Sequence, residues 1–277
     1  MNTKFLTTFC LVLLFGLINA NAQINLGDRA LGALQNAASS FMFTNEDAAR
    51  LSLEAVTKMD NENKVALAKN PYTIRLNKIF SKHVFENGLN LNYKVYLTKD
   101  LNAFATADGS VRVYSGLMDV MDNNQLLAVI GHEIGHVANN DSRDAIKAAY
   151  KKAALIDAVA SQSDKIAAAT DGQLGQIASA MLDSRYSRQQ ESEADDYSYE
   201  FMKKHQYNVN AVASAFEILA KMAQGGESNF IMQMMSSHPD PQQRADNARA
   251  RAISEGLYKE YVVAKKTTAK KTIKKKK

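Results

Sequence analysis

Two imidazoles and a carboxylate lie inside the apolar run VIGHEIGHVANN, residues 129–140. On a helix, His132 and His136 project from one side, so both rings can grip one ion. Glu133 adjoins the first of them and can reach a metal-bound water without being a ligand itself. An ion held for hydrolysis needs a third protein ligand and one open position. The stretch SRQQESEADDYSYEFMKKH offers one. A helix there puts Glu191, Ala194, Asp195, Ser198, Phe201 and Met202 on one face, apolar at one end and acidic at the other. Burying an unpaired carboxylate is costly, so that face asks for a cation or for hydrogen-bond donors. Glu191 answers as third ligand. Asp195, one turn on, can accept the spare ring N–H of a ligand histidine. The competing reading is plainer: two core histidines satisfied by hydrogen bonds, and two carboxylates in water like Glu193 and Asp196.

The bulk of the chain sets limits on that chemistry. At 277 residues it can bury a large core as a single domain. Residues 1–22 carry Lys4, an apolar run from Phe9 to Ile18 and then Ala20-Asn21-Ala22, the pattern of a secretory signal cleaved before Gln23. Cys10 lies inside that leader, so the body, residues 23–263, has no cysteine for disulfides or thiol catalysis. The formal charge of +5 is concentrated at the ends: setting aside the eight lysines of the tail (264–277) and Lys4 leaves −4 for the body. A mildly acidic body makes no case for binding nucleic acid. The tail is expected to be disordered and to associate, if at all, with anionic envelope polymers or lipid head groups. No later stretch reads as a transmembrane anchor.

The elements that must position the site are mainly helical. Helix signals start at Thr44-Asn45-Glu46-Asp47 and again after Asn70-Pro71, where TIRLNKIFSKHVF carries His83 as a surface histidine. The period then alternates. YKVYLTKD and VRVYSG read as strands of one small antiparallel sheet, with Asp108-Gly109 as the hairpin turn and Arg112 and Tyr114 on a wet face. Further helices follow: the HEIGH segment, an alanine-rich stretch from Ala145 to Met181, the Glu191 segment ending at His205, and NVNAVASAFEILAKMAQ stopped at Gly225-Gly226. In the last helix Asp240 can cap, Pro241 takes the first position and Gly256 ends the run. The expected class is α+β, mainly α with a small antiparallel β-sheet.

Taken together, HEIGH, SRQQESEAD and SSHPDPQQR resemble the family of the type I CAAX prenyl protease and the heat-shock protease HtpX, in particular its soluble periplasmic members. The family pattern runs His-Glu-x-x-His, Ser-Arg-x-x-Glu-x-x-Ala-Asp, then His-Pro before an Arg. LNAFATADGSVRVYSGLM resembles the strand region upstream of the metal helix, and the likeness covers roughly residues 45–255. It implies a zincin-like (gluzincin) domain over 23–263 that binds one Zn2+ per chain through His132, His136 and Glu191, with Asp195 behind them. Glu133 is then the general base of a zinc endopeptidase. His238 is either a fourth ligand on a gating loop or an oxyanion donor, with helix capping as its structural alternative. Asn102 is a second oxyanion candidate. Met232, Met234 and Met235 could face the cleft or simply fill the core. An extended substrate could add to the edge of the Val111–Tyr114 strand, which suits unfolded or misassembled envelope proteins. The alternative class is a non-hydrolytic periplasmic chaperone or scaffold using the same cleft. The prenyl protease's membrane-spanning helices have no counterpart here, so a prenylated substrate is not implied.

Overall fold

The computed structural model describes residues 44–160, 169–225 and 228–264. The expected leader, Gly226 and the tail beyond Ala264 lie outside them. Helix α1 (Asn45–Glu62) starts with a capping box in which Thr44 and Asp47 satisfy each other's backbone N–H, and it buries Ala48, Leu51, Ala55, Val56 and Met59. Helix α2 (Pro71–Phe80) is capped by the Asn70 side chain with Pro71 in its first turn. It stops at Phe80, three residues short of His83, which is buried rather than on a helical surface.

Strands β1 (Phe85–Glu86) and β2 (Leu89–Asn90) form a small antiparallel hairpin. Its turn residues Asn87 and Gly88 both take positive φ, which Asn and Gly tolerate best. Strands β3 (Asn92–Tyr96), β4 (Ala103–Ala105) and β5 (Ser110–Tyr114) make the main sheet in the order β3-β5-β4. This sheet is mixed, which corrects the expectation of purely antiparallel pairing. Asp108-Gly109 turns β4 into β5, while β3 pairs with β5 in parallel after the chain crosses over through 97–102. Gly109 is required there: at φ +85, any Cβ would lie 2.2 Å from the Asn90 carbonyl oxygen. The face of β5 expected to be wet is also buried. Arg112 forks onto Asp60 of α1 (Nε–Oδ1 2.8 Å, Nη2–Oδ2 2.9 Å), and Tyr96 donates to the same carboxylate. A buried guanidinium is tolerated because its donors are paired.

The remaining helices are α3 (Ser115–Val120), α4 (Asn123–Ala138), α5 (Asp141–Ala160), α6 (Ala169–Asp183), α7 (Arg188–Lys204), α8 (Asn210–Gln224), α9 (Ser228–Ser237) and α10 (Pro241–Ser254). Among the described residues, no helix is long and apolar enough to cross a membrane. Helix α4 runs through the centre, with Leu126, Leu127, Ala128, Val129, Ile130 and Ile134 in the core. It touches β4 on one side and α7 on the other. The α4–α7 contact is a close one, set by small residues. A Cβ on Gly135 would meet Ala194 Cα and Tyr197 Cβ at 3.0 Å, and one on Gly131 would meet Phe201 Cδ1 at 3.1 Å. Ser198 completes the contact by donating its hydroxyl to the Ala128 carbonyl at 2.7 Å. Gly135→Val is therefore expected to destabilise the chain by about 1–3 kcal/mol in urea denaturation. Gly172→Ala, in α6 with nothing near its Cβ, should not destabilise it.

Candidate metal centre

Local capping places each functional side chain. Asp122 and Gln125 form the capping box that starts α4, and Gln125 also donates to Ser214 of α8. Two helical turns on, α4 presents His132 and His136. Beyond its end Asn140 adopts a left-handed conformation (φ 67°), turning the chain so that Asp141, at the start of α5, reaches back to His136. Helix α7 begins with a Ser187–Gln190 capping box, and the Gln190 amide donates to Asp141 at 2.8 Å. Glu191 thus sits in the first turn of α7, where the helix dipole favours a carboxylate.

Four donor atoms, one each from His132, His136, Glu191 and His238, lie within 4.8 Å of one another, and all four residues are buried. His132 Nε2 is 3.0 Å from His136 Nε2 and 3.2 Å from His238 Nδ1. Glu191 Oε1 is 2.9 Å from His238 Nδ1 and 3.4 Å from His136 Nε2. Tetrahedral donors at about 2.0–2.1 Å from a zinc-sized ion are spaced about 3.3 Å apart, so this group fits one. The tautomers agree. His136 Nδ1 donates to Asp141 Oδ2 at 2.9 Å, and His132 Nδ1 lies 2.9 Å from Asp195 Oδ1. The two Nε2 atoms face each other at 3.0 Å, an arrangement that a shared cation stabilises. Glu191 Oε2 is also buried without a hydrogen bond, although Arg244 Nη1 stands 2.8 Å away.

The charges around the group are perturbed accordingly. Burial, reinforced by Arg244, pushes His132 well below the usual imidazole range and favours the neutral, ligating form. Burial also opposes protonation of His136, but its bonds to Asp141 and Glu191 prevail and raise it to about 9. A divalent ion binding there must displace that proton. Glu191 is held far below the carboxylate range, because the histidines outweigh the effect of burial. Burial pushes Glu133 up, toward the range of a general base at neutral pH.

Glu133 lies outside the four-donor group, with its Oε1 3.7 Å from His238 Nε2. It lines a cavity of about 10 Å3, room for one water, together with Asn102, Ala103, Leu182, Tyr186 and His238. The Asn102 amide in that cavity donates to Gln233 of α9. His238 ends α9 and points into the donor group, so it does not cap α10. Asp240 occupies the cap position in a left-handed conformation, but its side chain makes no capping bond, contrary to expectation. Met234 is core, whereas Met232 is exposed.

Three participants carried no role in the sequence reading. Arg244 of α10 pairs with Asp195 (Nη2–Oδ1 2.6 Å), and its Nη2 lies 3.0 and 3.2 Å from the two nitrogens of His132, over the ring. Its only signal is its place as the Arg after His-Pro. Tyr186 stacks on His136 with centroids 3.8 Å apart, and Asp141 orients the same ring. Neither falls on a helical spacing that would mark it. A second cluster also departs from expectation: His83 and Glu86 are buried together, with His205 against them.

Comparisons with known proteins agree with this architecture. The profile of Peptidase family M48 matches residues 75–252. Metalloprotease YcaL of Escherichia coli K12 is 39% identical over 227 residues, covering 81% of this chain and 87% of the relative. Metalloprotease LoiP of the same organism is 37% identical over 232 residues, covering 82% and 90%. The beta-barrel assembly-enhancing protease of E. coli K12 is 29% identical over 163 residues, 55% of this chain and 32% of the relative. The profile takes in the metal helix, the Glu191 helix and Arg244, and the chain belongs to Peptidase family M48 as a metalloprotease.

Proposed function

We propose that this metalloprotease is a zinc endopeptidase of the cell envelope that cuts unfolded or misassembled polypeptides. The observation that carries the reading is the convergence of His132, His136 and Glu191, drawn from two helices, beside a buried Glu133 that belongs to no ion pair shorter than 3.7 Å. Zinc held by those three residues would polarise a scissile carbonyl and lower the pKa of a bound water. The chain's own residues do the rest. Glu133 accepts the proton of the attacking water and delivers it to the leaving amine. Asp195 and Asp141 fix the tautomers of the two rings, and Arg244 balances the carboxylates of Asp195 and Glu191. The Asn102 amide, released from Gln233, donates to the developing oxyanion.

His238 is the fourth donor. A site with four protein donors is closed, whereas a hydrolytic site keeps a position open. In this reading His238 and α9 hold the enzyme shut until substrate displaces them. The substrate backbone then adds to the outer edge of β4, not to β5, because β5 is the central strand; it would replace the side chains of Asn102 and Ser142 that now bond Ala103 N and Ala105 O. A groove of about 1030 Å3 between α5 and α6, lined by Ala145, Ala148, Gly175, Ser179 and Tyr186, shares Ser184 and Tyr186 with the small cavity beside β4 and suits an extended segment. The leader-like residues 1–22 support an envelope location, as does the name of the relative that enhances beta-barrel assembly.

Glu133→Gln should lower casein cleavage by about 100- to 10,000-fold while zinc content stays unchanged. Unaltered cleavage would remove Glu133 from the mechanism and revive the binding-only alternative. Glu191→Ala should lower bound zinc by one ion per chain in elemental analysis. His238→Ala should raise hydrolysis of a short fluorogenic peptide with zinc retained; a drop with zinc retained would assign His238 to the oxyanion instead.

A further inference from the structure

The chain has five histidines, and each belongs to one of two buried or half-buried clusters. Three serve the centre described above. The other two, His83 and His205, flank Glu86 at the far end of α7, about 20 Å along the helix from Glu191. Glu86 Oε1 lies 3.0 Å from His83 Nδ1 and 2.9 Å from His205 Nε2. The His205 Nε2 atom is buried yet makes no hydrogen bond, so its in-plane direction misses the carboxylate oxygen beside it. Two donors that miss each other at this distance can still aim at a third atom between them. Separations of 2.9–3.0 Å fit ligands about 2.0–2.2 Å from one ion.

We infer that His83, Glu86 and His205 form a second divalent-cation site, for a zinc-like ion that takes imidazole and carboxylate ligands. His83 is prepared for the role on its other side, where Nε2 sits 2.8 Å from the Tyr207 hydroxyl. With the ion bound, Nε2–H donates to Tyr207 and the Nδ1 lone pair faces the metal. Without it, the tyrosine hydroxyl donates to Nε2 and Nδ1–H donates to Glu86. Lys204 contacts only the second oxygen of Glu86, at 3.3 Å, and its largely exposed side chain can turn into water. Phe201 packs against both rings, with centroids at 4.9 Å from His83 and 4.8 Å from His205, and closes the apolar side. The ion would brace the β1–β2 hairpin against the end of α7, a structural role that requires no substrate access.

Titrating the metal-stripped full chain with zinc chloride tests the site by calorimetry and elemental analysis. Wild-type chain should take up two ions, and both His205→Gln and Glu191→Ala should take up one. His205 caps the helix end with its ring half-exposed, so its substitution spares the core; His83→Gln, in the interior, serves as the second variant. Zinc at a hundredfold excess over Kd should raise the Tm of the Glu191→Ala chain by about 5 °C, and His205→Gln in that background should abolish the shift. One ion per wild-type chain, or equal uptake by wild type and His205→Gln, would overturn the inference.

Discussion

The whole arrangement depends on how closely α4 and α7 approach each other. Helices crossing with ordinary side chains at the contact keep their axes 8–10 Å apart. Here Gly131 and Gly135 face Ala194, Tyr197, Ser198 and Phe201 with almost no space for another carbon. The carboxylate of Glu191 is short relative to the gap it must cross, and only this contact brings it within 3.4 Å of the His136 ring nitrogen. At the same contact the hydroxyl of Ser198 reaches the Ala128 carbonyl and bridges α7 to the backbone of α4. A cluster that needs sub-ångström placement of its donors has thus been built on rigid elements in direct contact.

The second requirement is charge balance in a dry interior. Glu133, Glu191, Asp141 and Asp195 crowd around three imidazoles, and among the described residues Arg244 is the guanidinium that enters. One flat face lies over Phe216, 3.9 Å from the phenyl centroid, while its nitrogens meet the carboxylates of Asp195 and Glu191 and the edge-on His132 ring. The two metal-helix histidines are accordingly shifted in opposite directions: burial, with the guanidinium beside it, pushes His132 down, whereas for His136 the bonds to Asp141 and Glu191 outweigh burial and push it up.

Much of this is visible in the sequence where the signal is local. The helical spacing of His132 with His136, and of Glu191 with Asp195, needs only a period of 3.6. Likewise the Thr44–Asp47 box and the Asn70-Pro71 start are read from neighbours in the chain. What escapes depends on distant partners. The alternation in β5 correctly separates Val111 and Val113 from Arg112, but period alone cannot tell a wet face from one covered by α1, with Asp60 waiting there. The direction of β3 relative to β5 depends on the crossover, not on the composition of either strand. His83 looks like a lone surface histidine because His205 and Tyr207 approach it only in three dimensions, and because the helix stops at Phe80 so that Glu86, three residues on, can turn back to it.

His238 and Arg244 stand on either side of Pro239, Asp240 and Pro241. Both prolines restrict φ, so Asp240, already in a left-handed conformation, is the joint between two stiff levers. In the proposed opening, rotation there would carry α9 and its imidazole outward, while Arg244 of α10 keeps its contacts with Asp195 and Phe216. On that proposal the fourth donor is uncovered without stripping the centre of its balancing cationic side chain.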